Sequence, residues 1–217
     1  MNNTRFIFVR HGETDANLAG FLQGQYESNL TPNGIAQAQA VAEALKNEHF
    51  SHIYASDLRR AVMTAQTIQQ CGHADTPLTI TPALREWNCG DIEGIGWDEL
   101  GAKYPDLAKA FAYESGNLRF PGGENRMEFQ QRIADLLEDA RKNHRGETVL
   151  IVSHGGVLQR IFRHICGVIS DENLLPLCDN ASISLFCFNE LRQAWQLTAW
   201  NRTAHLQHLP LHTTFVL

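Results

Sequence analysis

The chain reads as an α/β protein, a three-layer sandwich in which helices flank a mostly parallel central sheet. Three observations carry that expectation. Short apolar runs alternate with amphipathic helical stretches along most of the 217 residues, the pattern of a sheet covered on both faces. Hydrophobic residues make up 43% of the chain, enough for a substantial core at this length. No composition shift, low-complexity tract or Pro/Ser-rich linker divides it, so one domain over 1–217 is expected, with a small lid-like insertion around 90–125.

The first strand is "RFIFV" (Arg5 to Val9), followed by a long polar loop that reaches "LTPNG". There Thr31 is placed to cap a helix whose first residue is Pro32, since proline lacks only an N–H that the first turn leaves unpaired anyway. Ile35, Ala38, Val41, Ala42 and Leu45 fall on one face of that helix. "HIYAS" (His52 to Ser56) is the second strand, "RRAVMTAQTIQQ" a helix ending before Gly72, and "LTITPAL" the third strand. A strong helix with Phe129, Ile133, Leu136, Leu137 and Ala140 inward precedes the strand "TVLIVS" (Thr148 to Ser153), and a helix from about Val157 to Cys166 follows. "SISLFCF" and "AWQLTAW", separated by "NELRQ", form a terminal hairpin. Its outer edge is open to a second copy of the chain, so a homodimer is compatible with this reading.

Composition excludes several function classes. A formal net charge of −6 provides no global field for nucleic acid or an anionic membrane, so an anionic ligand must be held by a few local arginines. No stretch approaches the ~18 apolar residues of a membrane span, and the apolar run in "MNNTRFIFVRHG" is too short for a signal peptide. Five scattered cysteines (Cys71, Cys89, Cys166, Cys178 and Cys187) form no CxxC pair and suit a reducing compartment. The expectation is a soluble, cytoplasmic protein. The pairs His49/His52 and His205/His208 have i,i+3 spacing but no obvious third ligand, so no metal is expected, and no cofactor. Neither a GxxxxGK[ST] loop nor a GxSxG elbow is present, and "GDIEGIG" does not fit a dinucleotide fingerprint. Ser153 beside His154 is no serine dyad, because adjacent strand side chains point to opposite faces.

In parallel sheets ligands gather beyond the carboxyl ends of the strands. Arg10 and His11 follow the first strand, Ser56 to Arg60 the second, and Ser153 and His154 the later one. Arg10 and Arg60 bring planar forks that suit phosphate oxygens, His11 and His154 bring imidazoles, and Glu86 in "LREWNCGDIEG" brings a carboxyl group. The combination fits phosphoryl transfer. An imidazole is nucleophilic at neutral pH, and a phosphate held by several cations loses the charge that repels an attacker. Attack by one histidine gives a phosphohistidine that water then cleaves. The leaving oxygen needs a proton, which a carboxyl group can supply for a gain of ~10²–10⁴ in rate.

"RHGET" near the start together with "SHGG" at residue 154 resembles the histidine phosphatase superfamily, in the branch that includes cofactor-dependent phosphoglycerate mutases and many small phosphatases. The likeness runs in order through "LTPNGIAQAQAVAEAL", "YASDLRRAVMTAQTI", "LREWNCGDIEG", "PGGEN" and "DNASISLF". The resemblance implies that His11 is the phosphorylated nucleophile, that Arg10, Arg60 and His154 complete the phosphate pocket together with Gly155, and that Glu86 is the proton donor. It implies that Asn17 and Gln23 contact the phosphate or the substrate beside it, and that the Gly12 carbonyl holds the other ring nitrogen of the nucleophile. The frame "SDLxRAxxTA" puts Arg60 at the family position and leaves Arg59 facing solvent. Glu93 and Asp91 compete with Glu86 for its role, and Glu93 is the second to test.

Mutases of this type carry a threonine-glycine-tryptophan stretch after the first motif, where this chain has "FLQGQYE". The interval from Cys89 to Gly123 is also short, with only Lys103, Lys109 and Arg119 as cations. The expected activity is therefore a metal-independent phosphatase acting on small-molecule phosphomonoesters. A mutase-type isomerase and a phosphate-ligand-binding protein without turnover are the alternatives. Trp97, Tyr104, Phe111, Tyr113 and Phe120 either line a partly apolar cleft under the lid or pack the lid on the body. The leaving group stays open.

Overall fold

Alternation within the first strand sets the layers of the molecule. In β1 (Asn3–Arg10) of the computed structural model, Phe6 and Phe8 enter one hydrophobic core and Ile7 and Val9 the other, as the two-residue strand period requires. The structure describes residues 3–112, 118–168 and 176–212. β2 (His52–Ser56), β3 (Leu78–Thr81) and β4 (Thr148–Ser153) run parallel to β1. β5 (Ile183–Asn189) pairs antiparallel with β1, and β6 (Ala194–Arg202) antiparallel with β5, giving the order β3-β2-β4-β1-β5-β6. This is the expected α/β sandwich with a mixed, mostly parallel sheet.

Helices α2 (Pro32–Leu45) and α3 (Arg59–Gln70) cover the face of Ile7, Val9, Ile53, Ala55, Leu150 and Val152. Helices α6 (Arg126–Asn143) and α7 (Gly155–Cys166) cover the opposite face of Phe6, Phe8, Val149 and Ile151. Helix ends follow their local chemistry. Thr31 accepts the Gly34 N–H at 2.9 Å to start α2, and Asn125 and Glu128 exchange side-chain acceptors and backbone donors in a capping box at α6.

The structure departs from the sequence expectation in places with identifiable causes. The loop after β1 contains a short helix, α1 (Asp15–Ala19), made by a capping box between Thr14 and Asn17 and closed at Gly20, whose φ is 71°. Ile35, expected inward, is 43% exposed, because the buried face of α2 runs through Gly34, Gln37, Ala38, Val41, Ala42 and Leu45 and leaves Ile35 at its edge. "LTITPAL" is strand only to Thr81, where Thr81 caps a 3₁₀ turn over Pro82–Leu84. Within the middle region, α4 (Trp97–Lys103) and α5 (Pro105–Ala112) meet at Pro105. Phe120 is fully buried against Trp87, with ring centroids 4.8 Å apart, so it packs the region onto the body. Tyr104 is 36% exposed. Tyr113 lies outside the described residues, as do the side chains of Trp97 and Phe111. No helix among the described residues is long and apolar enough to cross a membrane.

Candidate active site

Strand register assembles the site. β1 and β4 are parallel neighbours with Arg10 opposite Ser153, so the next residue of each strand, His11 and His154, leaves the sheet beside the other. Their ring centroids are 5.1 Å apart. β2 flanks β4 on the other side and ends at Ser56, whose hydroxyl lies 2.8 Å from His154 Nε2. Arg60, in the first turn of α3, sends Nε to His154 Nδ1 at 3.3 Å and its two terminal nitrogens to the carbonyls of Tyr26 and Gly24 at 2.8 and 2.7 Å. Arg59 next to it is exposed. Arg10 donates to the Cys178 carbonyl at 2.5 Å.

The donors and acceptors fix both tautomers. A carbonyl only accepts, so the 2.7 Å contact of His11 Nδ1 with the Gly12 carbonyl places the proton on Nδ1 and a lone pair on Nε2. A guanidinium only donates, so His154 Nδ1 accepts from Arg60 and Nε2 donates to Ser56. Both rings are buried, and burial first, then the charge of Arg60, pushes their pKa values well below the usual 6.5, with Arg10 adding to the effect. Arg60 is lowered to about 10 by burial and stays charged at neutral pH. The site therefore combines two neutral imidazoles with two fixed cations.

Glu86 reaches the same place from the loop after β3. Its carboxylate accepts the N–H of Gly156, in the first turn of α7, at 2.9 Å and that of Trp87 at 2.9 Å. Position 156 must be glycine for this approach, because a Cβ there would stand 2.4 Å from Glu86 Oε1. Gly155 opens α7 beside it. The backbone of Glu86 is clamped from outside: Arg132 and Gln25 donate to its carbonyl at 3.2 and 3.1 Å. Glu93 is committed elsewhere, one of its oxygens accepting the backbone N–H groups of Gln25 and Cys89 at 2.8 and 3.0 Å.

Asn17 accepts from Thr14 and, at 3.1 Å, from Asn180, which also donates to the His11 carbonyl. Gln23 accepts from the hydroxyls of Thr14 and Ser28 at 3.1 and 2.7 Å. Both border the turn that carries His11. Beneath that turn Glu13 is buried, accepting from Thr31 and Asn33 and meeting His212 near the end of the chain. Burial pushes the Glu13 pKa up, but those hydrogen bonds outweigh it and hold the group below its ordinary value. Arg132 and Asn180 were not singled out from sequence, and Ser56 was placed at the carboxyl end of its strand without a partner. Asn180 left a trace within the block "DNASISLF". Of the histidine pairs, His52 bonds to Thr79 and His205 to the Ala181 carbonyl.

A sandwich that gathers neutral imidazoles and buried guanidiniums at the carboxyl ends of parallel strands is an architecture for holding a small anion. The chain belongs to the histidine phosphatase superfamily (branch 1), which residues 6–203 match. It is 38% identical over 205 residues to the metal-independent phosphoserine phosphatase of Arabidopsis thaliana, covering 94% of this chain and 83% of that one. It is 33% identical over 205 residues to the phosphoglycerate mutase-like protein 4 of the same plant, covering 93% of this chain and 86% of that protein. Among solved structures, Bacillus stearothermophilus YhfR superposes with a TM-score of 0.85 at 27% identity, over 94% of this chain and 100% of that one. A mutant of phosphoserine phosphatase from Entamoeba histolytica, in complex with phosphoserine, superposes with a TM-score of 0.79 at 32% identity, over 94% of this chain and 99% of that one. The same enzyme is also solved with 3-phosphoglyceric acid.

Proposed function

We propose that the protein is a metal-independent phosphatase that hydrolyses small-molecule phosphomonoesters through a phosphohistidine at His11. The tautomer of His11 carries the reading: with its proton held on Nδ1 by the Gly12 carbonyl, Nε2 offers a lone pair to phosphorus. Arg10, Arg60 and His154 surround the phosphoryl oxygens, with the Gly155 end of α7 beside them. Charge delivered by the two guanidiniums stabilises the transferring phosphoryl group. Glu86 protonates the departing ester oxygen and, as carboxylate, then takes a proton from the water that attacks phosphohistidine. The P–O ester bond breaks as the N–P bond forms; water next breaks the N–P bond and releases inorganic phosphate. Asn17 and Gln23 border the substrate from the His11 turn, and residues 90–112 and 118–125 serve as its lid. Five free cysteines accord with a cytoplasmic setting.

The names of the relatives support a phosphatase and leave a mutase as the second reading. Phosphate release from p-nitrophenyl phosphate, with EDTA present, tests the proposal in parent and His11→Ala proteins. Chelator-resistant turnover that disappears in the variant is expected. Turnover that survives in His11→Ala would overturn the nucleophile, and no turnover in the parent would turn the reading toward a mutase primed by a bisphosphate.

A further inference from the structure

The donors of Arg132, in the second turn of α6, converge on the segment that carries Glu86. Nη1 donates to the carbonyls of Ala83 and Arg85 at 3.0 and 2.8 Å, and Nη2 to that of Glu86 at 3.2 Å. Nε and Nη2 also form a two-pronged pair with the Glu124 carboxylate, at 2.9 and 2.8 Å. Glu124 in turn holds the residues just after Glu86. Its carboxylate accepts the Asn88 N–H at 3.0 Å, its own N–H donates to the Asn88 carbonyl at 3.0 Å, and its carbonyl accepts the Trp87 indole N–H at 3.2 Å. One ion pair thus grips the chain from residue 83 to residue 88. Its two side chains are only 19% and 21% exposed, so water competes little for these bonds.

Residues 85–89 belong to no helix or strand. No ladder fixes their backbone, so their carbonyls depend on partners from elsewhere. A guanidinium suits that task because it presents five donors in one rigid plane, which an ammonium cannot do. The carboxylate end of Glu86 is held separately, by the N–H groups of Gly156 and Trp87, and its field reaches Arg10 and Arg60 in the phosphate pocket. Helix α7 therefore sets where the carboxylate points, while α6 sets where the side chain starts. We propose that Arg132 is the positioning residue of the proton donor: through Glu124 and the carbonyls of Ala83, Arg85 and Glu86 it sets the distance at which the Glu86 carboxyl meets the departing ester oxygen. The proposal rests on the phosphatase reading above. The proton passes from that carboxyl to the oxygen as the P–O bond breaks, and a misplacement of about 1 Å in such a step can cost on the order of 10²-fold.

The test compares kcat/KM for phenyl phosphate and p-nitrophenyl phosphate, two esters of similar shape whose leaving oxygens differ in basicity. Only the more basic phenolate depends strongly on receiving a proton as it leaves. Arg132→Met is expected to lower kcat/KM for phenyl phosphate by about 10–100-fold while changing that for p-nitrophenyl phosphate by less than about threefold. Glu86→Gln should show the same selectivity, and adding Arg132→Met to it should cost phenyl phosphate little more, because the two changes remove one function. Glu124→Gln is the milder variant. It keeps the backbone bonds to Asn88 while taking away the charge that anchors Arg132, and it should show the selective loss at a smaller size even where Arg132→Met does not fold. Equal slowing of both esters in Arg132→Met, or in Glu124→Gln where the former does not fold, overturns the positioning role and leaves the phosphatase standing. Absence of turnover of both esters in the parent overturns the phosphatase reading and the positioning role with it.

Discussion

His11 and His154 occupy matching places, one residue beyond the ends of two parallel neighbouring strands, yet their ring nitrogens are engaged differently. His11 has Nδ1 bound to the carbonyl of the next residue, and among the described residues no hydrogen bond is made to Nε2. His154 has both nitrogens engaged, by Ser56 and Arg60. One strand thus delivers an imidazole with a nitrogen available for a bond to phosphorus, and its neighbour delivers an imidazole held by both nitrogens as a fixed platform. Residue type and location alone do not separate these tasks. The second partner of each ring does.

The largest effect should come from breaking that asymmetry at His11. His11→Asn is expected to lower kcat on the order of 10⁴-fold or more, with no acid-labile phosphoenzyme in a rapid quench. His154→Asn should cost less, about 10²–10³-fold in kcat, while phosphoenzyme is still trapped. Equal losses in both, with phosphoenzyme absent from both, would remove the distinction.

Next in size is the pH dependence that the two rings share. Both have folded-state pKa values below the 6.5 of an exposed imidazole, so as pH falls through 6.5 the unfolded chain binds protons that the native chain does not. Stability is therefore full above pH 6.5 and declines below it, by about 1.4 kcal/mol per pH unit for each ring until the folded-state pKa is reached. Thermal melts at pH 7.5 and 5.5 in phosphate-free buffer should show the drop, and His154→Asn should make it shallower. A slope unchanged in that variant would mean that its ring titrates normally. For turnover, the same lowering should keep the acid limb that reports His11 below pH 6.5.

Ser56→Ala sharpens the comparison with the smallest change. It strands the buried Nε2–H of His154, which should cost about 1–3 kcal/mol in urea unfolding. The effect on kcat should stay within about tenfold, since the variant loosens the platform without removing it. A loss as large as that of His154→Asn would show the hydroxyl to be the working group.

Much of this arrangement was legible in the residues. β2 and β4 fall where the apolar runs place them, from His52 to Ser56 and from Thr148 to Ser153, because a buried parallel strand is a continuous apolar run. The polar residues just past those runs could then be brought together from the rule that parallel sheets bind at their carboxyl ends. What escaped was structure without periodicity or with distant partners. Helix α1 spans five residues and depends on one capping box, which leaves no hydrophobic repeat. Ser56 lies 98 positions from His154, and Asn180 lies 169 from His11. Arg126, the first residue of α6, and Arg160 and Arg163 on α7 are buried, although in sequence they look like ordinary surface cations.

Glu13 has a practical consequence for handling the protein. The residue next to the His11 turn is held not only by Thr31 and Asn33 but by His212, while the Pro210 carbonyl accepts from Asn33 and Gln37 beneath α2. The tail is therefore a strut under the nucleophile's turn. Removing residues 210–212 would take that strut away, so shortened versions of the protein should keep them.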